Sequence, residues 1–149
     1  MRGQTAVEYL MTYGWAILII LIVAGVLAYY GIFAPAGFLG PTARGFGQVQ
    51  VLSPWSLATT GTLTLNVENR VGKTINVTQL NATLDENPYN AIIPGGTQIT
   101  SGSKGIVQGT FSGLSGYSTG DSYSMTLTIY YDYEGATFSS TGTLSGSFT

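Results

Sequence analysis

Gln4-Thr5-Ala6-Val7-Glu8-Tyr9-Leu10, running on through Trp15-Ala16-Ile17-Leu18-Ile19-Ile20-Leu21-Ile22-Val23-Ala24-Gly25-Val26-Leu27-Ala28, is the stretch that decides the fold. Arg2 and Gly3 precede it, and no charged residue occurs from Thr12 to Phe33. About 20 apolar residues suffice to cross a bilayer core. The run predicts one helix over residues 4–34, about 46 Å long at 1.5 Å per residue. Pro35 ends it, because proline lacks the N–H and disfavours helix in the residue before it. Gly14, Gly25 and Gly31 each weaken a helix in water by about 1 kcal/mol, yet allow close backbone approach between bundled helices. Glu8 is the discordant residue. Unpaired at membrane depth it costs roughly 2.5–3.5 kcal/mol, so it calls for a partner.

Other uses of such a segment fit less well. A cleaved secretory signal has a small-x-small site in Ala34-Pro35-Ala36, but its apolar region is ordinarily about 7–15 residues and uncharged. A plain single-span anchor gives Glu8 no role, and an organellar transit peptide needs basic residues that are absent. Arg2, with no further positive charge until Arg44, predicts the N-terminus in the cytoplasm and the rest outside. Tyr9, Tyr13, Trp15, Tyr29, Tyr30 and Phe33 read as interfacial aromatics rather than a stacked path for electrons.

Composition narrows the function classes. The 149 residues contain no cysteine, so disulfides and thiolate chemistry are excluded, and no histidine, the commonest general base and metal ligand. Charged residues are 8% of the chain, against about a quarter in soluble domains, and no basic patch of the kind nucleic acid requires is visible. Gly72-Lys73-Thr74 imitates the end of a phosphate loop, but Val67 stands where the first glycine belongs, so it reads as a turn. Asp85-Glu86-Asn87, and Asp132 with Glu134, lack the spacing of a calcium loop and read as solvated turn carboxylates. Catalysis, cofactor and metal binding are therefore not expected. Low charge with abundant Gly, Ser, Thr and Tyr suits a surface protein kept in water by hydroxyls, with sugars as a further expectation, in place of ions.

After the apolar run, residues 35–47 are rich in glycine and proline and read as a linker. From residue 48 to 149 the period is two. Leu63, Leu65 and Val67 alternate with Thr62, Thr64, Asn66 and Glu68. Tyr123, Met125, Leu127, Ile129, Tyr131 and Tyr133 form a second inward row, and Glu134-Gly135 turns the chain tightly toward Phe138, Leu144 and Phe148. Further strands are expected near 48–53, 97–100 and 105–111. Ile75 and Val77 are out of phase with Leu80, Ala82 and Leu84, which predicts a bulge near Thr78-Gln79 and places Asn76 and Asn81 outward. Each begins an Asn-x-Thr triplet, the acceptor pattern for N-glycans. Seven or eight short strands over about 100 residues fit an antiparallel, immunoglobulin-like sandwich. The fold class is α+β: a long N-terminal hydrophobic helix, then a β-sandwich head.

The start of the chain resembles the class III signal of archaeal type IV pilins on Gly3, Gln4, Ala6, Glu8, Tyr9 and Leu10, over about the first thirty residues. Arg2 is the only basic residue of the short leader, a mild departure from the family. The resemblance implies removal of leader 1–3 by a class III prepilin peptidase cutting between Gly3 and Gln4, which makes Glu8 the fifth mature residue. It also implies a homopolymeric helical filament on the cell surface, extracted from the membrane by a platform and a cytoplasmic assembly ATPase and used for adhesion. The new α-amine on Gln4, in the same or a neighbouring subunit, would pair with Glu8 and fix subunit register; if Gln4 cyclises, Thr5 or Thr12 would serve Glu8 instead, or Glu8 would be protonated. The alternatives are an archaellin of a swimming filament, and a monomeric ligand-binding surface protein with the same leader.

Overall fold

The computed structural model describes residues 2–30 and 40–149. The helix α1 spans Arg2–Tyr29, with Tyr30 N–H still bonded to Val26 C=O. The expected stop at Pro35, Gly31, Phe33, the small-x-small site at 34–36 and residues 35–39 of the linker lie outside the described residues. The helix runs unbroken across the Gly3–Gln4 bond, and space around Gly3 is open.

The head is an antiparallel sandwich of eight strands. They are β1 (Thr42–Arg44), β2 (Val49–Leu57), β3 (Thr62–Asn69), β4 (Ile75–Leu84), β5 (Asn87–Ile99), β6 (Lys104–Thr110), β7 (Ser122–Tyr133) and β8 (Ala136–Ser147). The larger sheet has the order β1-β8-β7-β4-β5 and the smaller β2-β3-β6. Alternation decides which side chains meet between them. Leu63, Leu65 and Val67 from β3 face Leu80 and Ala82 from β4, and Met125, Leu127 and Ile129 from β7, in one continuous core.

The expected rows on β3 and β7 are present, and so is the bulge: β4 breaks register against both neighbours between Val77 and Gln79. At the β7–β8 connection Glu134 (φ 52°) and Gly135 (φ 80°) both take positive φ, as a two-residue hairpin with the right twist needs. Asp85 (φ 49°) and Glu86 (φ 66°) make the same kind of turn between β4 and β5 without a glycine. Three features depart from the sequence reading. The strand expected near 97–100 is the end of a thirteen-residue β5 that begins at Asn87. Part of the expected linker, Thr42–Arg44, is a strand paired to β8 at Thr143–Ser145. Phe138 lies on the inner face but past the cover of β2, stacked on Tyr133 with centroids 4.5 Å apart and 40% exposed.

Two buried polar side chains fasten the ends of the sandwich. Asn69, fully buried, closes the crossings between the sheets. Its Nδ2 donates to the carbonyls of Lys73 (2.6 Å) and Ile99 (2.9 Å), and its Oδ1 accepts from Val71 N–H (2.9 Å). Ser140 Oγ donates to Val49 C=O (2.8 Å) and accepts from Gly47 N–H (2.9 Å), holding the entering chain against β8.

Asn69→Ala removes three hydrogen bonds and leaves the Ile99 carbonyl buried without this donor, a loss of about 2 kcal/mol. Asn69→Asp does not restore it, since a carboxylate cannot donate to either carbonyl. Thermal unfolding in detergent, followed by circular dichroism, is expected to show both variants well below the parent, whereas an unchanged midpoint would refute this role for Asn69.

Candidate assembly helix and head surface

Helix α1 has no inside. Residues Ile17 to Val23, nearly two full turns, are each between 49% and 64% exposed. An ordinary surface helix hides one stripe in its own core; one that is apolar all round requires apolar surroundings on every side. From Gly3 to Tyr29 it is long and apolar enough to cross a membrane.

The polar exceptions share one stripe. Gln4 and Thr5 stand four and three positions before Glu8, and Thr12 four after it, which stacks them on one face over the first three turns. Thr12 Oγ1 donates to the backbone C=O of Glu8 at 2.9 Å, the back-bond usual for threonine inside a helix, so that hydroxyl proton is committed to the backbone and not to the carboxylate. The ion pairs among the described residues are both in the head, Arg70 with Glu68 and Lys73 with Glu134. Beside the stripe, Tyr9 and Tyr13 pack with ring centroids 4.6 Å apart, and Thr5, Ala6, Tyr9 and Leu10 border a shallow hollow around the small Ala6.

The head presents two unlike faces. The outer face of the larger sheet is a field of hydroxyls and amides: Thr128 and Thr141 share a hydrogen bond of 2.9 Å, and Ser145 Oγ donates to Ser124 Oγ at 3.1 Å. On the smaller sheet, β2 leaves β3 between Leu52 and Ser56, so that Ser53, Pro54 and Trp55 pass opposite Leu65 alone. The gap forms an apolar slot of about 320 Å³ lined by Pro54, Trp55, Leu65 and Ile106. Trp55 is fixed there by donating Nε1–H to Tyr123 Oη at 3.1 Å. Nothing in the local pattern announced this slot, because the register shift that opens it depends on which strand lies alongside.

Of the carboxylates read as turn residues, Asp85, Glu86 and Glu134 are in turns, whereas Asp132 is near the end of β7, and three of the four have partners. Glu134 pairs with Lys73, Asp132 Oδ1 accepts from Thr137 Oγ1 (2.6 Å), and Asp85 Oδ2 accepts from the Tyr117 hydroxyl (2.7 Å). No group of three or more acidic residues that would hold a metal ion occurs among the described residues. Gly72 sits in the turn between β3 and β4 at φ 89°, and no helix follows it. Asn76 and Asn81, both on β4, differ in surroundings: Asn81 Oδ1 accepts from Gln79 Nε2 at 2.6 Å, while Asn76 Oδ1 is buried without a partner. The chain matches no known protein family and no curated protein.

The Asp85 hydrogen bond, with smaller help from burial and from the carboxylate's charge, pushes the Tyr117 hydroxyl up to about 12. A raised folded pKa favours the protonated phenol, so the associated stability is complete below the ordinary value of 10.0 and disappears as pH rises through about 12. Burial also raises Tyr123 and Tyr131, so ultraviolet titration is expected to show several late-ionising tyrosines, of which the Tyr117 component alone returns toward the ordinary range in Asp85→Asn. An identical titration curve in that variant would exclude the assignment.

Proposed function

We propose that this chain is the structural subunit of a surface filament of the archaeal type IV pilus kind, polymerising through α1 and carrying the sandwich outward. The observation that carries this reading is a helix apolar around its whole circumference, with a carboxylate on its first turns, joined to a head that already buries its own core. Such a helix has two suitable environments, lipid and a bundle of its own kind, and the carboxylate favours the second. In lipid Glu8 can meet only the α-amine of its own Gln4, and a bundle adds those of neighbouring subunits. In a bundle it meets the α-amine of Gln4, freed when the peptidase cuts after Gly3, from its own or an adjacent subunit. A buried pair of this kind contributes register more than net stability.

Assembly then exchanges lipid contacts for helix contacts. Gly14 and Gly25, with open space around both, and the hollow beside Ala6 admit close approach by neighbouring helices. The platform and ATPase supply the work of extraction, and adhesion is the service of the finished filament. The slot beside Trp55 favours one other reading, a monomeric surface protein that binds a small apolar ligand, although its volume stands at the lower end for such sites.

Glu8→Leu leaves the Gln4 amine buried without a counter-charge, a penalty of roughly 3–5 kcal/mol per subunit. Filaments sheared from cells carrying this variant are expected to vanish while the unassembled chain stays at its usual level in the membrane. Normal filament yield would remove Glu8 from the mechanism.

A further inference from the structure

The two Asn-x-Thr triplets of β4 are equivalent in sequence and unlike in space. β4 runs between β5 and β7, with Asn81 in register with Asn90 and Thr128, and Asn76 with Gln98 and Asp132. In unbroken strand, residues two apart share a face. Asn81 and Thr83 lie in such a stretch, and Thr83 is exposed. Gln79 Nε2 donates to Asn81 Oδ1 at 2.6 Å, which orients the amide through its oxygen and not through Nδ2, the atom a sugar would join.

Asn76 meets the opposite conditions. The register break between Val77 and Gln79 falls on Thr78, the hydroxyl residue of its triplet, and removes the regular two-residue relation. On the β5 side the same break lets Ile93 to Gly96 loop out between the pairs Gln79–Ile92 and Val77–Thr97. Gly96 (φ 69°) closes over the Asn76 amide: a Cβ added there would fall 2.3 Å from Oδ1 and 2.4 Å from Nδ2. Oδ1 is out of solvent with no hydrogen-bond partner. The amide fills the space that a side chain at position 96 would need, and a sugar on its Nδ2 would displace the backbone of β5.

We propose that Asn81 is the N-glycan acceptor of this head and that Asn76 is a packed residue that stays unmodified; this rests on the reading that the head is exported. The donor class is a saccharide carried on a lipid phosphate. The Asn81 Nδ2 forms a bond to the anomeric carbon, that carbon's bond to the phosphate oxygen breaks, the lipid phosphate leaves with the electron pair, and one Nδ2 proton passes to a base of the transferase. The selection acts on the folded head, where the Asn76 amide lies against Gly96. The glycan stands on the hydroxyl-rich outer face of the larger sheet, away from the core.

The test uses the full chain from its own cells. Trypsin leaves both triplets on one peptide, Thr74–Lys104, so electron-transfer fragmentation assigns the site. One glycan on Asn81, lost in Thr83→Ala and kept in Thr83→Ser and Asn76→Gln, is the expected result. A glycan on Asn76, or neither residue modified in a chain whose head is cut by protease added to intact cells, overturns the proposal alone. A head protected from that protease overturns the exported reading and this proposal with it.

Discussion

Everything in this molecule answers to the exposed apolar surface of α1. A helix that is greasy on one side can be tucked against its own domain; one that is greasy on all sides must be covered by something else. The head offers no such cover, because its two sheets spend their inner faces on each other through Leu65, Leu80, Leu127 and their neighbours. The chain is therefore two bodies with separate solvation requirements. Glu8 sharpens the point, since lipid alone satisfies the leucines and isoleucines but not the carboxylate.

The head solves a different problem, that of remaining soluble with few charges. Its outer face uses threonine, serine and asparagine, which suit a pleated surface and donate to one another across strands, as Thr128 does with Thr141 and Ser124 with Ser145. The two ion pairs are exposed and contribute little. Rigidity comes from buried amide and hydroxyl groups, above all Asn69, which ties the β3–β4 and β5–β6 crossings together. Few of the contacts that hold this head together therefore depend on charge.

Much of the architecture was legible because it is written in local period. The apolar run, the alternation on β3 and β7, the Glu134-Gly135 turn and the phase slip at Thr78 all follow from residues within a few positions of one another. What escaped depends on partners distant in the chain. Pro88, Pro94, Gly95 and Gly96 disguise β5 as loop, and only pairing with β4 makes it a strand. Asp85-Glu86 forms a turn that glycine or asparagine would have advertised. Arg44 and its neighbours look like linker until β8 lies beside them, and the roles of Asn69 and Ser140 exist only once three segments converge. At the N-terminus the stripe of Gln4, Glu8 and Thr12 was visible from spacing, whereas the use of the Thr12 hydroxyl on the Glu8 carbonyl was not.

The central claim is that α1 is retained and buried among copies of itself, not discarded or left in lipid. Intact mass and N-terminal sequence of the protein sheared from the cell surface test it most directly. The account predicts a chain that begins at Gln4 and keeps the whole helix. A surface protein that begins after the apolar run, at Gly37 for instance, would make α1 an export signal and contradict the account.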